Sequence, residues 1–189
     1  SLVREKQLIL TDWHRIGSNF AEGLPLVAKD PRLVSIDDFE LLKPISRGAF
    51  GRVLLSRHTT TRAIYAAKVL EKKDMALRNQ MANVRREQNI MAYAENKSVV
   101  QLHYAFQSRS YVFLLMEYQP GGDLETVLEN VGCIASKWAL HYLGEMTLAI
   151  EFIHGLGIIH RDIKPANWLI TRTGNLKLAD FGLSREGVT

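Results

Sequence analysis

Residues 160–167 read His160-Arg161-Asp162-Ile163-Lys164-Pro165-Ala166-Asn167, and Asp180-Phe181-Gly182 follows later in the chain. An acid, a cation and an amide therefore lie within six residues, and a second acid comes after them. Phosphoryl transfer needs a base for the attacking hydroxyl, positive charge beside the phosphate and oxygen ligands for magnesium. We therefore expect Asp162 and Lys164 to be catalytic, and Asn167 and Asp180 to bind magnesium. Each residue taken alone is also compatible with a solvated loop position.

The composition is typical of a folded chain from a reducing compartment. The 189 residues are 47% hydrophobic and 23% charged, and the single cysteine leaves no internal disulfide. We expect an intracellular location, in the cytoplasm, the nucleus or both, because no secretory signal is recognisable. The net charge of +4 is spread along the chain, which argues against a nucleic-acid partner. The longest apolar run, residues 111–116, is too short for a membrane span.

The N-terminal segment, residues 1–36, differs in pattern from the rest of the chain. Apolar residues recur in it at helical spacing, at Ile9, Trp13, Ile16 and Phe20. This stripe predicts a helix that packs on the neighbouring domain or docks a regulatory partner. Glycine and proline then predict a linker, at Gly23, Pro25 and Pro31.

The remaining sequence predicts an α+β fold in two parts. Short apolar and β-branched runs predict strands at residues 39–46, 50–57, 63–70, 99–107, 111–118, 168–171 and 176–179. Helices are predicted at residues 74–95, from about 123, and at 136–154. We expect a small antiparallel β lobe with one main helix at 37–118. The beginning of a helical lobe should follow at 119–189, joined to the first near Gly121-Gly122.

Capping residues mark the ends of the predicted helices. Asp74 and Ser136 are plausible N-caps, because a short oxygen-bearing side chain there accepts from the first free amides. Gly155 and Gly157 follow the helix predicted at 136–154, and we expect them to end it in left-handed conformations. Asp123 precedes a helix and either caps it or accepts hydrogen bonds from ribose hydroxyls.

A glycine-bearing turn between the first two predicted strands is a candidate phosphate site. Ser46, Gly48 and Gly51 occupy the three conserved places of a G-x-G-x-x-G pattern, with serine in the first. Glycines let main-chain amides approach a triphosphate closely. The same residues are also compatible with an ordinary hairpin.

A lysine and a glutamate form the second part of this candidate nucleotide site. Lys68 lies in an apolar strand, where it either extends its charge to the surface or faces a bound anion. Glu87 shares a predicted helix face with Val84 and Met91. A carboxylate on an apolar face needs a partner, because burying it unpaired costs roughly several kcal/mol. We expect Lys68 to be that partner; a solvated Glu87 is the alternative.

Together these motifs resemble the eukaryotic protein kinase domain: a glycine loop, a strand lysine, a helix glutamate, H-R-D-x-K-P-x-N and D-F-G. The resemblance extends from about Phe39 to the last residue. Lys164, two residues after Asp162, resembles the lysine of serine/threonine kinases rather than tyrosine kinases. The sequences of residues 44–51 and 180–184 resemble those of AGC-type kinases of the Greatwall, microtubule-associated and plant root-hair group. The resemblance implies ATP and magnesium as ligands, and γ-phosphoryl transfer to a protein hydroxyl as the reaction.

The resemblance also implies roles for residues that carry no chemistry of their own. The adenine would be sandwiched by Val53, Ala66 and Leu169. The gatekeeper would be Met116, and the purine would be read by main-chain groups of Glu117 and Gln119. A hydrophobic spine would be formed by Met91, Leu102, His160 and Phe181. Two residues depart from the family pattern, Ala166 in place of an acid and Trp168 in place of an aliphatic residue.

The chain ends seven residues after Gly182. By this resemblance, the activation segment, an Ala-Pro-Glu element and the later helices lie outside it. We expect the N-terminal portion of a kinase domain, whose partners are a protein substrate and either a regulatory protein or the missing C-terminal part. The alternative is a truncated, inactive relative that binds a nucleotide or a partner without catalysis.

Overall fold

The structure, a computed structural model, describes residues 34–48, 51–77, 81–93 and 96–186. The predicted N-terminal helix, with Ile9 to Phe20, lies outside these residues. The described chain forms two compact units. The first takes residues 34–77 and His103–Met116, and the second takes residues 81–102 and those from Glu117 onward. The predicted domain boundaries at 36/37 and 118/119 stay predictions.

A five-stranded sheet with the order β1-β2-β3-β5-β4 builds the first unit. Its strands are β1 (Phe39–Gly48), β2 (Gly51–His58), β3 (Ile64–Glu71), β4 (Leu102–Gln107) and β5 (Tyr111–Glu117). The first three strands pair antiparallel, and Gly48 lies opposite Gly51 where β1 turns into β2. The predicted β lobe is therefore confirmed.

Aromatic packing on one face of this sheet forms the core of the first unit. Phe39 is buried, and its ring contacts four neighbours at centroid distances of 5.1–5.9 Å: His58, Tyr65, Tyr104 and Phe106. Ala67 and Val69 of β3 face this cluster. Since side chains alternate along a strand, Ala66 and Lys68 lie on the opposite face. The packing thereby decides which face of the sheet carries the candidate nucleotide residues.

The helix predicted at 74–95 appears in two described parts, α1 (Lys72–Leu77) and α2 (Met81–Tyr93), and residues 78–80 between them lie outside the described chain. Asp74 is not the N-cap of α1, because the helix begins at Lys72, whose N–H donates to Ser110 O at 2.8 Å. Asp74 lies in the first turn instead, where its charge favours the positive end of the helix dipole.

The second unit combines α2 with two further helices and two small sheets. The further elements are α3 (Leu124–Val131), α4 (Ser136–Gly155), β6 (Ile158–Ile159), β7 (Trp168–Ile170), β8 (Leu176–Leu178) and β9 (Arg185–Glu186). β7 pairs with β8 and β6 with β9, both antiparallel. Short 3-10 helices lie at Pro165–Asn167 and Phe181–Leu183. Nowhere in the described chain is there a helix with the length and apolar character that a membrane span requires.

The ends of these elements correct three details. Ser136 is the first residue of α4 and not its N-cap; Ala135 occupies that position without a side-chain hydrogen bond. Gly155 is still helical, and Gly157 alone has the left-handed φ, 72°. β4 begins at Leu102 because Val99 is already engaged elsewhere, in a bridge to Leu178.

A close approach of two main-chain segments fixes the residues after β5. Gly121 N–H donates to Ile170 O at 3.0 Å, and Ile170 N–H donates to Gly122 O at 2.8 Å. A Cβ on Gly121 would lie 2.5 Å from Ile170 O, so only glycine fits. The segment leading to α3 is thereby held against β7.

Candidate active site

His160 organises the loop that carries the first group of predicted site residues. Its Nε2–H donates to Ala179 O at 3.0 Å, and its Nδ1 accepts the main-chain N–H of Asp162 at 3.3 Å. A carbonyl only accepts, so this pair of contacts requires the neutral tautomer with the proton on Nε2. Burial lowers the pKa of His160 below its usual value, although the Ala179 carbonyl and nearby carboxylates act in the opposite direction. The neutral ring therefore joins Asp162 to the residue before Asp180.

Asp162 lies at the centre of a hydrogen-bonded group with Lys164 and Asn167. Its Oδ2 is 2.8 Å from Lys164 Nζ and accepts Asn167 Nδ2–H at 3.0 Å. The Lys164 hydrogen bond, followed by that of Asn167, holds the pKa of Asp162 below its usual value despite partial desolvation. The same contact with Asp162 raises the pKa of Lys164. At neutral pH the pair is therefore a carboxylate beside an ammonium ion, and both remain partly exposed to solvent.

Asn167 is buried, at 5% exposure, and both hydrogens of its amide are used within the loop. Nδ2 donates to Asp162 O at 2.7 Å as well as to Asp162 Oδ2. The orientation of the amide, assigned from these bonds, leaves Oδ1 as its free acceptor, the kind of atom that binds magnesium. Asn167 O also accepts the N–H of Ala179 at 2.9 Å, which ties this loop to the residue before Asp180.

Asp180 adopts a left-handed conformation, with φ 59° and ψ 73°, between β8 and the 3-10 helix Phe181–Leu183. This conformation costs a non-glycine residue of order 1–3 kcal/mol and is typical of functional sites. A Cβ on Gly182 would lie 3.3 Å from Asp180 Oδ1 and 3.6 Å from Glu87 Oε2. Glycine at 182 therefore leaves room beside two carboxylates.

The predicted packing of His160 on Phe181 is confirmed, with ring centroids 4.9 Å apart in an edge-to-face arrangement. All four residues of the predicted spine are buried: Met91, Leu102, His160 and Phe181. Arg161 has a left-handed φ of 66°, and its Nε–H donates to Leu183 O at 2.7 Å. This contact braces the loop against the 3-10 helix Phe181–Leu183.

The predicted nucleotide residues of the first unit share one face of its sheet. Ser46 pairs with Val53, Val53 with Lys68, and Leu55 with Ala66. Directly opposed residues lie on the same face, and so do residues two apart on a strand. Met116 joins them by alternation, because Phe113 and Leu115 of β5 face the aromatic core instead. Ala49 and Phe50, at the tip of the glycine turn, lie outside the described residues.

The residues around the start of α3 divide between main-chain and capping roles. Glu117 N–H donates to Gln101 O at 3.0 Å, and the reading of a purine by its carbonyl stays a prediction. Asp123 uses both carboxylate oxygens on Thr126, at 2.8 Å to N and 2.9 Å to Oγ1, and it is the N-cap of α3. Leu169 forms a bridge with Asp123. The capping alternative for Asp123 is therefore what the structure shows.

Val84, Glu87 and Met91 are confirmed as one buried face of α2, with exposures of 8%, 2% and 0%. Lys68 belongs to the first compact unit and Glu87 to the second. Their pairing stays a prediction. Trp168 is buried in β7 opposite Leu178, directly after Asn167 in the chain.

The donor set fits magnesium that arrives with a phosphate ligand. Across the part of the chain that the structure describes, no three histidine, cysteine or acidic side chains come together in a metal-binding group. Magnesium takes only one or two protein carboxylates at such sites, and phosphate and water supply its other oxygens. Asn167 and Asp180, with one amide oxygen and one carboxylate, match that requirement.

The sequence analysis missed an ion pair formed by side chains 60 residues apart, Lys177 and Glu117. Lys177 Nζ lies 2.6 Å from Glu117 Oε1, which also accepts the N–H of Gln101 at 2.8 Å. The available signal was a lysine between two leucines of a short strand, the pattern that drew attention to Lys68. Sequence alone gives it no partner, because Glu117 becomes its neighbour only through the fold.

Comparison with known proteins gives one family over most of the chain. The family described as protein kinase domain matches residues 39–189. Serine/threonine-protein kinase ppk18 of Schizosaccharomyces pombe is 54% identical over 156 residues, 82% of this chain and 12% of that protein. Probable serine/threonine protein kinase IRE of Arabidopsis thaliana is 46% identical over 164 residues, 87% of this chain and 14% of that protein.

Rho-associated protein kinase 1 of Mus musculus is 47% identical over 156 residues, which cover 80% of this chain and 11% of that protein. The chain therefore spans about an eighth of the length of the curated relatives it matches.

Proposed function

Since this chain belongs to the protein kinase domain family, we propose that it supplies the nucleotide-binding and catalytic residues of an enzyme that phosphorylates serine or threonine in proteins. One observation carries the proposal: the hydrogen-bonded group of Asp162, Lys164 and Asn167, joined through Ala179 to Asp180. The names of the relatives, all serine/threonine protein kinases or Rho-associated kinases, support it.

Asp162 is the base in the proposed reaction. Oδ2 is held by Lys164 and Asn167, so Oδ1 is the oxygen available to a substrate hydroxyl. The lowered pKa of Asp162 keeps the carboxylate ionised at neutral pH, ready to accept the hydroxyl proton. As the oxygen–phosphorus bond to the substrate forms and the bond to ADP breaks, that proton passes to Asp162. Lys164 offsets the negative charge on the phosphoryl group.

Asn167 and Asp180 would hold the magnesium ion, which neutralises phosphate charge when bound. Asn167 presents Oδ1 because its amide hydrogens are fixed on Asp162. The left-handed main chain at Asp180 is a conformation that the surrounding fold imposes. Such preorganisation is what phosphoryl transfer asks of a protein, since catalysis there is mostly positioning and charge stabilisation.

ATP contacts are proposed for residues of both units. They are Ser46, Gly48, Gly51, Val53, Ala66, Lys68, Glu87, Met116, Glu117, Gln119, Asp123 and Leu169. The shared sheet face of Ser46, Val53, Ala66 and Lys68 supports this assignment in the first unit. Because the carboxylate of Asp123 already caps α3, a ribose contact there would share an oxygen with Thr126.

We further propose the AGC type, close to the Greatwall, microtubule-associated and plant root-hair group. The amino-acid sequences of residues 44–51 and 180–184 support this assignment. The proposed division is an N-terminal helix and linker at 1–36, a small lobe at 37–118 and the start of the large lobe at 119–189. An intracellular location, and partners that include a protein substrate and a regulatory protein or the rest of the domain, belong to the same proposal.

Two measurements test the function. We expect Mg-ATP to raise the unfolding temperature of this chain, and Lys68→Met or Asp180→Ala to remove that shift. In a longer version that contains the rest of the domain, we expect phosphate transfer to a generic protein substrate, which either substitution abolishes. Binding without transfer in the longer version would replace the enzyme by a nucleotide-binding relative, and full activity in either variant would refute the assigned roles.

A further inference from the structure

The ion pair between Glu117 and Lys177 joins two segments that the proposed function uses separately. Glu117 begins the segment 117–119, whose main chain is proposed to read the purine, and Lys177 lies in β8, three residues before Asp180. The Nζ–Oε1 distance is 2.6 Å, and the side chains are only 15% and 24% exposed. An ion pair this shielded loses less to solvent and salt than a surface pair does.

The position of Lys177 within β8 directs its charged side chain towards Glu117. Leu176 and Leu178 on either side are buried at 3% and 0% exposure, so the strand is fixed by apolar packing. Side-chain alternation directs Lys177 to the other face of the strand, where Glu117 lies. Removing one partner would leave the other charge shielded from water and unpaired, and an unpaired shielded charge destabilises the fold.

Main-chain hydrogen bonds continue from this ion pair to the proposed metal ligand. Gln101 makes two hydrogen bonds with Glu117. Its carbonyl accepts the Glu117 N–H at 3.0 Å, and its N–H donates to Glu117 Oε1 at 2.8 Å. Just before it, Val100 N–H donates to Leu178 O at 2.9 Å, and Leu178 N–H donates to Ser98 O at 2.8 Å. Leu178 is two residues from Asp180. The segment 98–101 therefore lies between the two parts that the ion pair connects.

We propose that the Glu117–Lys177 ion pair is a positioning device for the nucleotide: it sets the purine-reading segment 117–119 against β8, the strand that precedes Asp180. Both residues act through others, Glu117 through its own main chain and Lys177 through the glutamate. This inference rests on the proposed function, because it assigns the ion pair to the same nucleotide site. It adds Lys177 and the carboxylate of Glu117 to the residues that determine nucleotide affinity.

The test measures dissociation constants of Mg-ATP and of adenosine for the chain and its variants by calorimetry at low temperature. Lys177→Met removes the charge and keeps most of the apolar stem, and we expect it to weaken Mg-ATP binding about fivefold or more, the usual size of a coupling between sites. Lys177→Arg restores the charge opposite Glu117, and we expect binding within about twofold of the unsubstituted chain. Glu117→Gln keeps an oxygen for Gln101 N–H, and we expect a weakening in the same direction.

The matched control is the ion pair of Arg57 and Glu40, which has the same 2.6 Å separation but lies at the surface between β1 and β2. Arg57→Met should leave both dissociation constants unchanged. A double variant, Lys177→Met with Glu117→Gln, should bind no more weakly than the worse single variant, because both changes break one interaction. A purely structural role predicts lower unfolding temperatures with unchanged dissociation constants.

The outcomes separate this inference from the function on which it rests. Unchanged Mg-ATP affinity in Lys177→Met and in Glu117→Gln overturns the inference and leaves the proposed function standing. Additive losses in the double variant overturn it too. If the unsubstituted chain binds neither Mg-ATP nor adenosine, the proposed function itself fails. If Lys177→Met does not fold, Glu117→Gln and Lys177→Arg decide the question by the same dissociation constants.

Discussion

The proposed catalytic loop at 158–167 and the strand ends beside the glycine turn, residues 46–48 and 51–53, are held in place by different interactions. In the loop, each proposed catalytic side chain has specific hydrogen-bond partners: Asp162 binds Lys164 and Asn167, and His160 bonds to two main-chain groups. At the strand ends, strand register places Ser46 and Val53 on one face. A site held by side-chain hydrogen bonds is disrupted when one donor or acceptor atom is removed. A site held by strand register is disrupted only when the packing of the strand is lost.

The largest effect should come from Asp162→Asn, which keeps the shape of the side chain and removes the base. We expect phosphate transfer by a version with the rest of the domain to fall about 100- to 10,000-fold, the usual contribution of a positioned general base. Mg-ATP affinity should change little, because the nucleotide contacts lie elsewhere. Steady-state assays and calorimetry check both parts, with the exposed carboxylate change Glu40→Gln as the control. An equal loss of binding and turnover would contradict the role of Asp162 as base.

The strand side of the comparison is tested by Phe39→Ala. Phe39 contacts four rings and anchors the face opposite the candidate nucleotide residues. Deleting a buried phenylalanine costs about 3–5 kcal/mol of unfolding free energy. Leu42, on the same strand but 39% exposed, supplies the control, since Leu42→Ala should cost about 0.5 kcal/mol. Denaturant unfolding of both variants decides; similar losses would show that the aromatic face does not carry the packing.

The grouping of the proposed catalytic residues was predictable because phosphoryl transfer demands particular groups at short spacing in the chain. Asp162, Lys164 and Asn167 lie within six residues, so a loop brings them together without any knowledge of the fold. The shared burial of Val84, Glu87 and Met91 was predictable for a similar reason, since helical periodicity is a local rule. The cap at Asp123 also followed from local chemistry, although the sequence left a ribose contact equally open.

Features set by tertiary context were beyond the sequence. The Lys177–Glu117 pair joins residues 60 apart, and the left-handed main chain of Arg161 and Asp180 is a conformation that few non-glycine residues adopt. Ser136 shows the limit within a helix: its type favours a cap, yet α4 begins one residue earlier than that role requires.

A third test concerns the close approach of Gly121 to Ile170. Gly121→Ala would place a methyl group 2.5 Å from a main-chain oxygen that has no freedom to turn away, and we expect a loss of about 1–3 kcal/mol. Gly144, inside α4, has open space around its Cβ position, so Gly144→Ala should stabilise by up to about 1 kcal/mol. Thermal unfolding compares the two. Equal effects would mean that the segment after β5 moves away from β7 without cost.

The smallest expected effect is the pH dependence of stability that comes from His160. It tests whether side-chain hydrogen bonds hold the proposed catalytic loop in place. His160 must be neutral to accept the Asp162 N–H, and burial lowers its pKa in the folded chain. The unfolded chain takes up a proton as the pH falls through about 6.5, whereas the folded chain does so only at lower pH. The stability contributed by neutral His160 is therefore complete above pH 6.5. It is lost progressively below that value, by at most about 1.4 kcal/mol per pH unit.

His160→Gln isolates this contribution, because a neutral amide both donates and accepts at every pH. We expect the variant to be less stable than the unsubstituted chain at pH 7.5, since glutamine cannot fill the buried ring position against Phe181. Between pH 6.5 and 5 the difference should narrow, because only the unsubstituted chain loses the neutral histidine. Urea unfolding at several pH values measures it. A difference that stays constant across that range would mean that the loop does not depend on the neutral ring.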